Sequence, residues 1–324
     1  MDIHPYIVLG SAVVGLLVGL TGAGGGALMT PMLILLFGVQ PSTAISSDLV
    51  AAVLMRPVGA AVHLRKGTVN LRLVGWMVVG SVPAAFLGSY LLHLLGKPAA
   101  QSRVEEALGA ALLVGAAAMV LRLILDRRQG NERRGELADV VSRPLPTICI
   151  GVVGGVIVGM TSVGSGSLMI VLLMFLYPML SAGRLVGTDL AQSVPLTFAA
   201  ALGALAFGHV EFGVTTSIVI GSVPAAFVGS LLSSRAPDRY IRPAIMFVIF
   251  ASGLKYVGVG TTALGWTLGA VLAAAAAWLG WTKLRAREAA PAPQGNAEQG
   301  PGDERPGLQP SSLVRHDALG QERQ

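Results

Sequence analysis

The amino-acid sequence predicts an all-α polytopic membrane protein built from two tandem-duplicated repeats. Three observations carry this: an apolar composition, apolar runs long enough to span a bilayer, and a long-range internal repeat. Of 324 residues, 53% are hydrophobic and only 12% charged, and the mean hydropathy is +0.69. So few polar side chains cannot coat a water-soluble globule of this length, and a lipid solvent accounts for the composition. Apolar segments lie at about 7–38, 44–64, 71–95, 104–125, 145–177, 182–207, 213–233, 240–258 and 263–282. Most have the roughly 20 residues a helix needs to cross about 30 Å of hydrocarbon. The start, Met1 to Tyr6, contains Asp2 and His4 but no Lys or Arg, so the first segment is expected to remain in the membrane and not to act as a cleaved leader.

The repeat is visible by eye. Gly80 to Ser89 reads GSVPAAFLGS and Gly221 to Ser230 reads GSVPAAFVGS, nine identities in ten at an offset of 221 − 80 = 141. At an offset of 140, Gly19 to Met29 (GLTGAGGGALM) matches Gly159 to Met169 (GMTSVGSGSLM) at six positions. Between these blocks Ser47-Asp48-Leu49 aligns with Thr188-Asp189-Leu190, and Gly67 to Asn70 with Gly208 to Glu211. The predicted organisation is a first membrane repeat at 1–125, a charged linker at 126–144, a second repeat at 145–258, an additional transmembrane helix at 259–282 and a polar tail at 283–324. That tail is rich in Pro, Gly, Gln and charge, a composition that stays disordered.

On these residues the chain resembles the sulfite exporter TauE/SafE family of membrane permeases over about 7–258. The likeness rests on the Gly-rich first segment of each half, the Asp-bearing second segment and the G-x-x-P-x-x-x-x-G third segment. The resemblance implies transport of sulfite, a sulfonate-related solute or another sulfur-containing anion across the cell (inner) membrane, without selecting one of them.

The glycine segments also carry an argument of their own. Thr21, Gly22, Ala23, Gly24, Gly25 and Gly26 interrupt a run that is long for one span, and each glycine costs a helix about 1 kcal/mol relative to alanine. A break is expected there, and a partner break at Thr161, Ser162, Val163, Gly164, Ser165, Gly166 and Ser167. Non-helical backbone at membrane depth is tolerated only inside protein or against a wet cavity, and paired broken helices mark transporter sites. A helix restarting at Ala27 or Ser167 would point free N–H groups at an anion. Thr21, Gly22, Gly24, Gly25, Gly26, Thr161, Ser162, Gly164, Ser165 and Gly166 are therefore candidate substrate contacts. The competing reading is close helix packing through small residues. Neither run continues to Gly-Lys-Ser/Thr, so neither is a nucleotide P-loop.

Ionisable residues within apolar segments complete the candidate site. Asp48 and Asp189 are repeat-related and are candidates for carrying a coupling ion, against a plain helix-start role. Arg56 lies mid-segment and its counterpart at offset 141 is Thr197. Its planar fork suits a bidentate grip on an oxyanion, the alternative being a fixed ion pair with Asp48 or Glu105. His63 and His209 fall near segment ends, Lys255 suits snorkelling, and Pro83 and Pro224 should kink matched helices.

The expected partners are a small anionic solute and membrane lipid, with homo-oligomerisation left open. No cofactor is expected, and Cys149 is the only cysteine, too few for a disulfide or a cysteine-rich metal site. The formal charge of +6 reads as a topology signal and not as a nucleic-acid surface. If each glycine segment returns to its starting side, each repeat makes three crossings and the second is inverted, which puts the linker and tail in the cytoplasm. A single crossing by each gives parallel repeats and leaves the Arg235 to Arg242 loop outside, against the charge pattern. A channel-like or structural protein whose glycines only pack helices is the alternative function. An intramembrane enzyme finds no support, since HExxH and GxSxG are absent, and without an ATP-binding motif an ion or solute gradient is the expected energy source.

Overall fold

The computed structural model describes residues 3–21, 25–95, 101–128, 143–232, 238–260 and 262–269. It is all-helical, with α1 Pro5–Thr21, α2 Gly26–Phe37, α3 Pro41–Arg65, α4 Leu71–Leu95, α5 Gln101–Arg128, α6 Pro144–Thr161, α7 Leu168–Leu176, α8 Ala182–Phe207, α9 Phe212–Leu232 and α10 Asp238–Tyr256. A further helical run covers 262–269, and no strand forms among the described residues. By length and hydropathy, six of these helices can cross a membrane: α3, α4, α5, α6, α8 and α9. Their outward faces carry exposed Leu54, Phe86, Phe198, Phe227 and Leu231, the surface expected against lipid and not against water.

Segments 71–95 and 182–207 coincide with α4 and α8, whereas 7–38 and 145–177 each divide into two helices. Gly22 to Gly24, the linker beyond Arg128, the tail and most of the helix expected at 259–282 lie outside the described residues.

The two ends of each divided segment lie together. At the start of α6, the Thr147 hydroxyl is 2.6 Å from the Tyr177 hydroxyl just beyond α7, and the Arg143 N–H donates to the same Tyr177 oxygen at 2.9 Å. In the first half a Cβ on Gly10 of α1 would sit 2.8 Å from Met32 Sδ and 3.1 Å from the Phe37 ring of α2. Gly38, in the left-handed region with φ 65°, caps α2 by donating back to the last turn and turns the chain toward α3.

Packing between the halves follows the repeated motifs. α1 lies along α9 and α6 along α4, while α3 crosses α8 and α5 meets α10. A methyl group on Gly155 or Gly159 of α6 would strike the carbonyls of Ser81 or Ala85 on α4. The positions 140 to 141 residues away behave alike, Gly15 and Gly19 of α1 resting on Ser222 and Ala226 of α9. Seen from the other helix, Gly80 sits on the Ile148 carbonyl and Gly221 on the Val8 carbonyl. Backbones approach this closely only where side chains vanish, which is how helices associate in lipid without a hydrophobic driving force. Glycine packs helices along these seams, outside the runs 21–26 and 161–167 for which close packing is the competing reading. Two reciprocal hydrogen bonds repeat the pattern: the Glu211 N–H donates to Ser47 Oγ at 3.3 Å, and the Asn70 N–H donates to Thr188 Oγ1 at 3.1 Å.

Candidate functional site

α3 packs against α8, and their Asp48, Arg56 and Asp189 lie beside the start of α2 and the second break. Gly26 opens α2, and a methyl group there would collide with the Ser162 carbonyl of the second break. The start of α2 and Ser162 therefore touch. Ser162 makes this geometry with φ 58°, the one positive value for a non-glycine among the described residues, and its N–H closes α6 onto the Val158 carbonyl at 2.7 Å. Gly164 and Gly166 follow with φ 120° and 93°, where a Cβ would be strained.

Asp48 is not a helix-start residue. It lies 48 − 41 = 7 residues into α3, whose N-cap position is Gln40, and Asp189 lies 189 − 182 = 7 residues into α8, which begins after Ser181. That depth, about two turns, overturns the helix-start reading for both. Asp48 Oδ2 accepts hydrogen bonds from Ser162 Oγ at 2.7 Å and Thr30 Oγ1 at 3.1 Å, joining the second break to α2. Asp189 accepts from the Gly166 N–H and, at 3.4 Å, from Gln192 Nε2. Its Oδ2 has no partner among the described residues although the residue is only 1% exposed. Gln192 in turn accepts from Ser81 Oγ at 3.1 Å.

Arg56 is buried at 7% exposure and its Nη1 donates to Ser165 Oγ in the second break. The two carboxylates act on it through space, Asp189 more than Asp48. The guanidinium is thus held by a break hydroxyl and not by a carboxylate fork, and Glu105 is not among the charges acting on it. A cation whose donors are not all consumed by carboxylates can still meet an anion.

The remaining candidates divide. Ser162, Ser165, Gly166 and Gly26 are brought together with Arg56, Asp48 and Asp189. Thr161 spends its hydroxyl on its own turn, donating to the Ile157 carbonyl at 2.6 Å and accepting from the Val163 N–H at 3.2 Å. Gly25, before α2, faces Met55, and Gly164 faces Ile157 and Val158. Gly22, Gly24 and the Thr21 side chain lie outside the described residues. His63 bonds Thr68 at 3.0 Å and His209 stacks on His93 at 6.4 Å between centroids, both at helix ends.

Sequence reasoning passed over Thr30, Gln192 and Arg122. Thr30 and Gln192 are uncharged and read as tolerated polar residues, yet their repeat counterparts are Ile170 and Ala51. A polar residue in a span with an apolar counterpart was the available signal. Arg122, three residues from the end of the segment at 104–125, reads as an end cation but acts electrostatically on Asp189. A cavity of about 550 Å³ opens near the start of α3, lined among others by His4, Tyr6, Phe37, Gln40, Thr43 and Glu211. Thr43 precedes Asp48 by five residues, about 7.5 Å along the helix. Among the described residues no group of three or more His, Cys, Asp or Glu is arranged to hold a metal ion.

The family model described as Sulfite exporter TauE/SafE matches residues 7–256. "Probable membrane transporter protein YjnA" of Bacillus subtilis (strain 168) is 40% identical over 255 residues, 78% of this chain and 98% of the relative. "Probable membrane transporter protein YdhB" of the same strain is 25% identical over 256 residues, 76% of this chain and 98% of its own length. A "Probable membrane transporter protein" of Xylella fastidiosa (strain Temecula1 / ATCC 700964) is 27% identical over 240 residues, 72% of this chain and 87% of the relative. No solved structure matches the chain.

Proposed function

The chain belongs to the sulfite exporter TauE/SafE family and is a multi-pass membrane transporter, not an enzyme; from that premise we propose that it carries a small sulfur-containing anion through the junction of its two glycine breaks. The observation that carries this reading is the buried Arg56, seated against Ser165 at the place where Gly26 meets Ser162. An anion leaving water needs compensation, and helix N-termini supply only about half a unit of positive charge each. The starts of α2 and α7 with one formal cation suit a monoanion or a dianion in part neutralised elsewhere. Ser162 and Ser165 offer hydroxyls, and backbone N–H groups near Gly26 and Gly166 offer further donors.

Transport by alternating exposure follows from an inverted arrangement of the halves. In this reading each broken segment, α1–α2 or α6–α7, has both ends on one side even though α6 alone is long enough to cross. The three crossings of each half are then α3, α4 and α5, and α8, α9 and α10, the apolar stretch of α10, Pro243–Tyr256, being the shortest. An odd number inverts the second half. Gln40 and Glu211 lining one cavity supports this, as does the collection of Arg65, Lys66, Arg72 and Arg184 on the opposite side, the cytoplasmic one by charge. The linker and tail then lie in the cytoplasm. Single cysteines placed at Gln40 and at Glu211 in a Cys149→Ser background should both react with an impermeant maleimide added to intact cells. Labelling at position 40 with protection at 211 would mean parallel halves.

Substrate class is tested on purified protein by thermal shift with sulfite, sulfate, thiosulfate, sulfoacetate and simple carboxylates. A bound sulfur oxyanion at 100 times its Kd should stabilise the folded state by about 2.7 kcal/mol, read as a higher Tm. The same anion should then show counterflow in vesicles. Stabilisation by carboxylates alone would overturn the assignment of sulfur-containing anions.

A further inference from the structure

We infer that the two repeat-related aspartates have separate jobs: Asp189 takes up a coupling proton on Oδ2, while Asp48 anchors the second break. The inference rests on the anion site at Arg56 proposed above. Asp48 Oδ2 is satisfied by the hydroxyls of Thr30 and Ser162. By repeat offset the positions equivalent to Thr30 and Ser162 are 30 + 140 = 170 and 162 − 140 = 22, which are Ile170 and Gly22 in the sequence. Neither carries a hydroxyl. The duplicated carboxylate takes a long bond from Gln192 on Oδ1 and feels the Gly166 N–H, while its Oδ2 has no hydrogen-bond partner among the described residues at 1% exposure.

A buried acceptor without a donor is costly, and an ionised one more so. A proton on Oδ2 removes the charge and supplies a donor in one step. The charges around the group are few. Arg56 on α3 acts on it most strongly and Arg122 on α5 less so, and Asp48 acts on the same Arg56 from α3. Of the other helices packed on α8, α6 and α7 contain no charged residue and α4 carries only Arg72 and His93 near its ends.

Arg56 is thereby shared between Asp189 and the anion. With Asp189 ionised, the guanidinium faces two carboxylates. With a proton on Oδ2, one of them is neutral and the charge of Arg56 is free for an incoming anion. One proton and one anion then load together and cross in the same direction, with no change of oxidation state. The sign follows from Coulomb attraction: protonation strengthens anion binding, and anion binding makes the proton harder to remove.

The test is infrared difference spectroscopy of the full chain in liposomes during pH titration, with thiosulfate as probe because its charge is constant near neutral pH. Wild type should show a protonated-carboxyl band that Asp189→Asn loses, Asp48→Asn keeps and Asp189→Glu restores at a shifted position. Thiosulfate should move its midpoint to higher pH. Restoration by Asp189→Glu separates loss of the proton site from loss of the fold. A band that survives Asp189→Asn, one lost with Asp48→Asn, or no titrating band at all overturns the inference. A band assigned to Asp189 that thiosulfate leaves in place upholds the proton site and sinks the anion site at Arg56.

Discussion

Arg56→Gln in reconstituted vesicles should lower flux of the stabilising anion by on the order of a hundredfold or more, since truncating one partner of a desolvated charged contact costs about 2–5 kcal/mol. Membrane insertion should be retained, because the outer helix seams at Gly15, Gly19, Gly155 and Gly159 do not involve this side chain. Arg56→Lys should recover little. It keeps the charge but loses the planar fork and its rigid pair of donors. The structure also says which second change should compensate. Asp48 is satisfied by Thr30 and Ser162 and does not depend chiefly on Arg56. Asp189 does, through its electrostatic contact. A lowered Tm for Arg56→Gln should therefore be partly restored by adding Asp189→Asn, and less by adding Asp48→Asn. Transport at wild-type rates by Arg56→Gln would remove the arginine from the site altogether.

The second large effect should come from one methyl group. Gly26→Ala places a Cβ on the Ser162 carbonyl, and that carbonyl belongs to a left-handed turn pinned by the Val158 carbonyl and by Asp48. Neither partner is the far end of a flexible side chain, so the breaks must separate. Overpacking of this kind costs typically 1–3 kcal/mol and occasionally more, and the displaced Ser162 loses its bond to Asp48. A lowered Tm together with loss of flux is expected. Gly75→Ala supplies the contrast, since nothing lies within 4 Å of its Cβ position on α4, and alanine there should leave Tm unchanged or raise it by relieving the helix cost of glycine. Wild-type Tm and flux for Gly26→Ala would mean that the two breaks do not meet.

Membrane spans are legible in the sequence because hydropathy is a local sum over about twenty residues, and the bounds of α4 and α8 are read correctly for that reason. The expected repeat and glycine breaks, and the isolated charges at Asp48, Arg56 and Asp189, are likewise drawn from the sequence. Identity at a fixed offset, a run of poor helix formers and a charge in an apolar run are all one-dimensional signals. Partnership is not. Ser162 reaches Asp48 across 114 residues, and Arg56 reaches Ser165 across 109. Those pairs exist because α6 is seated along α4 and α3 crosses α8. Glycine shows the division well: the same residue type packs helices at Gly155 and Gly80, admits a neighbouring carbonyl at Gly26 and turns the chain at Gly166. Which role falls to which glycine depends on the atom that stands opposite, and only the tertiary structure places that atom.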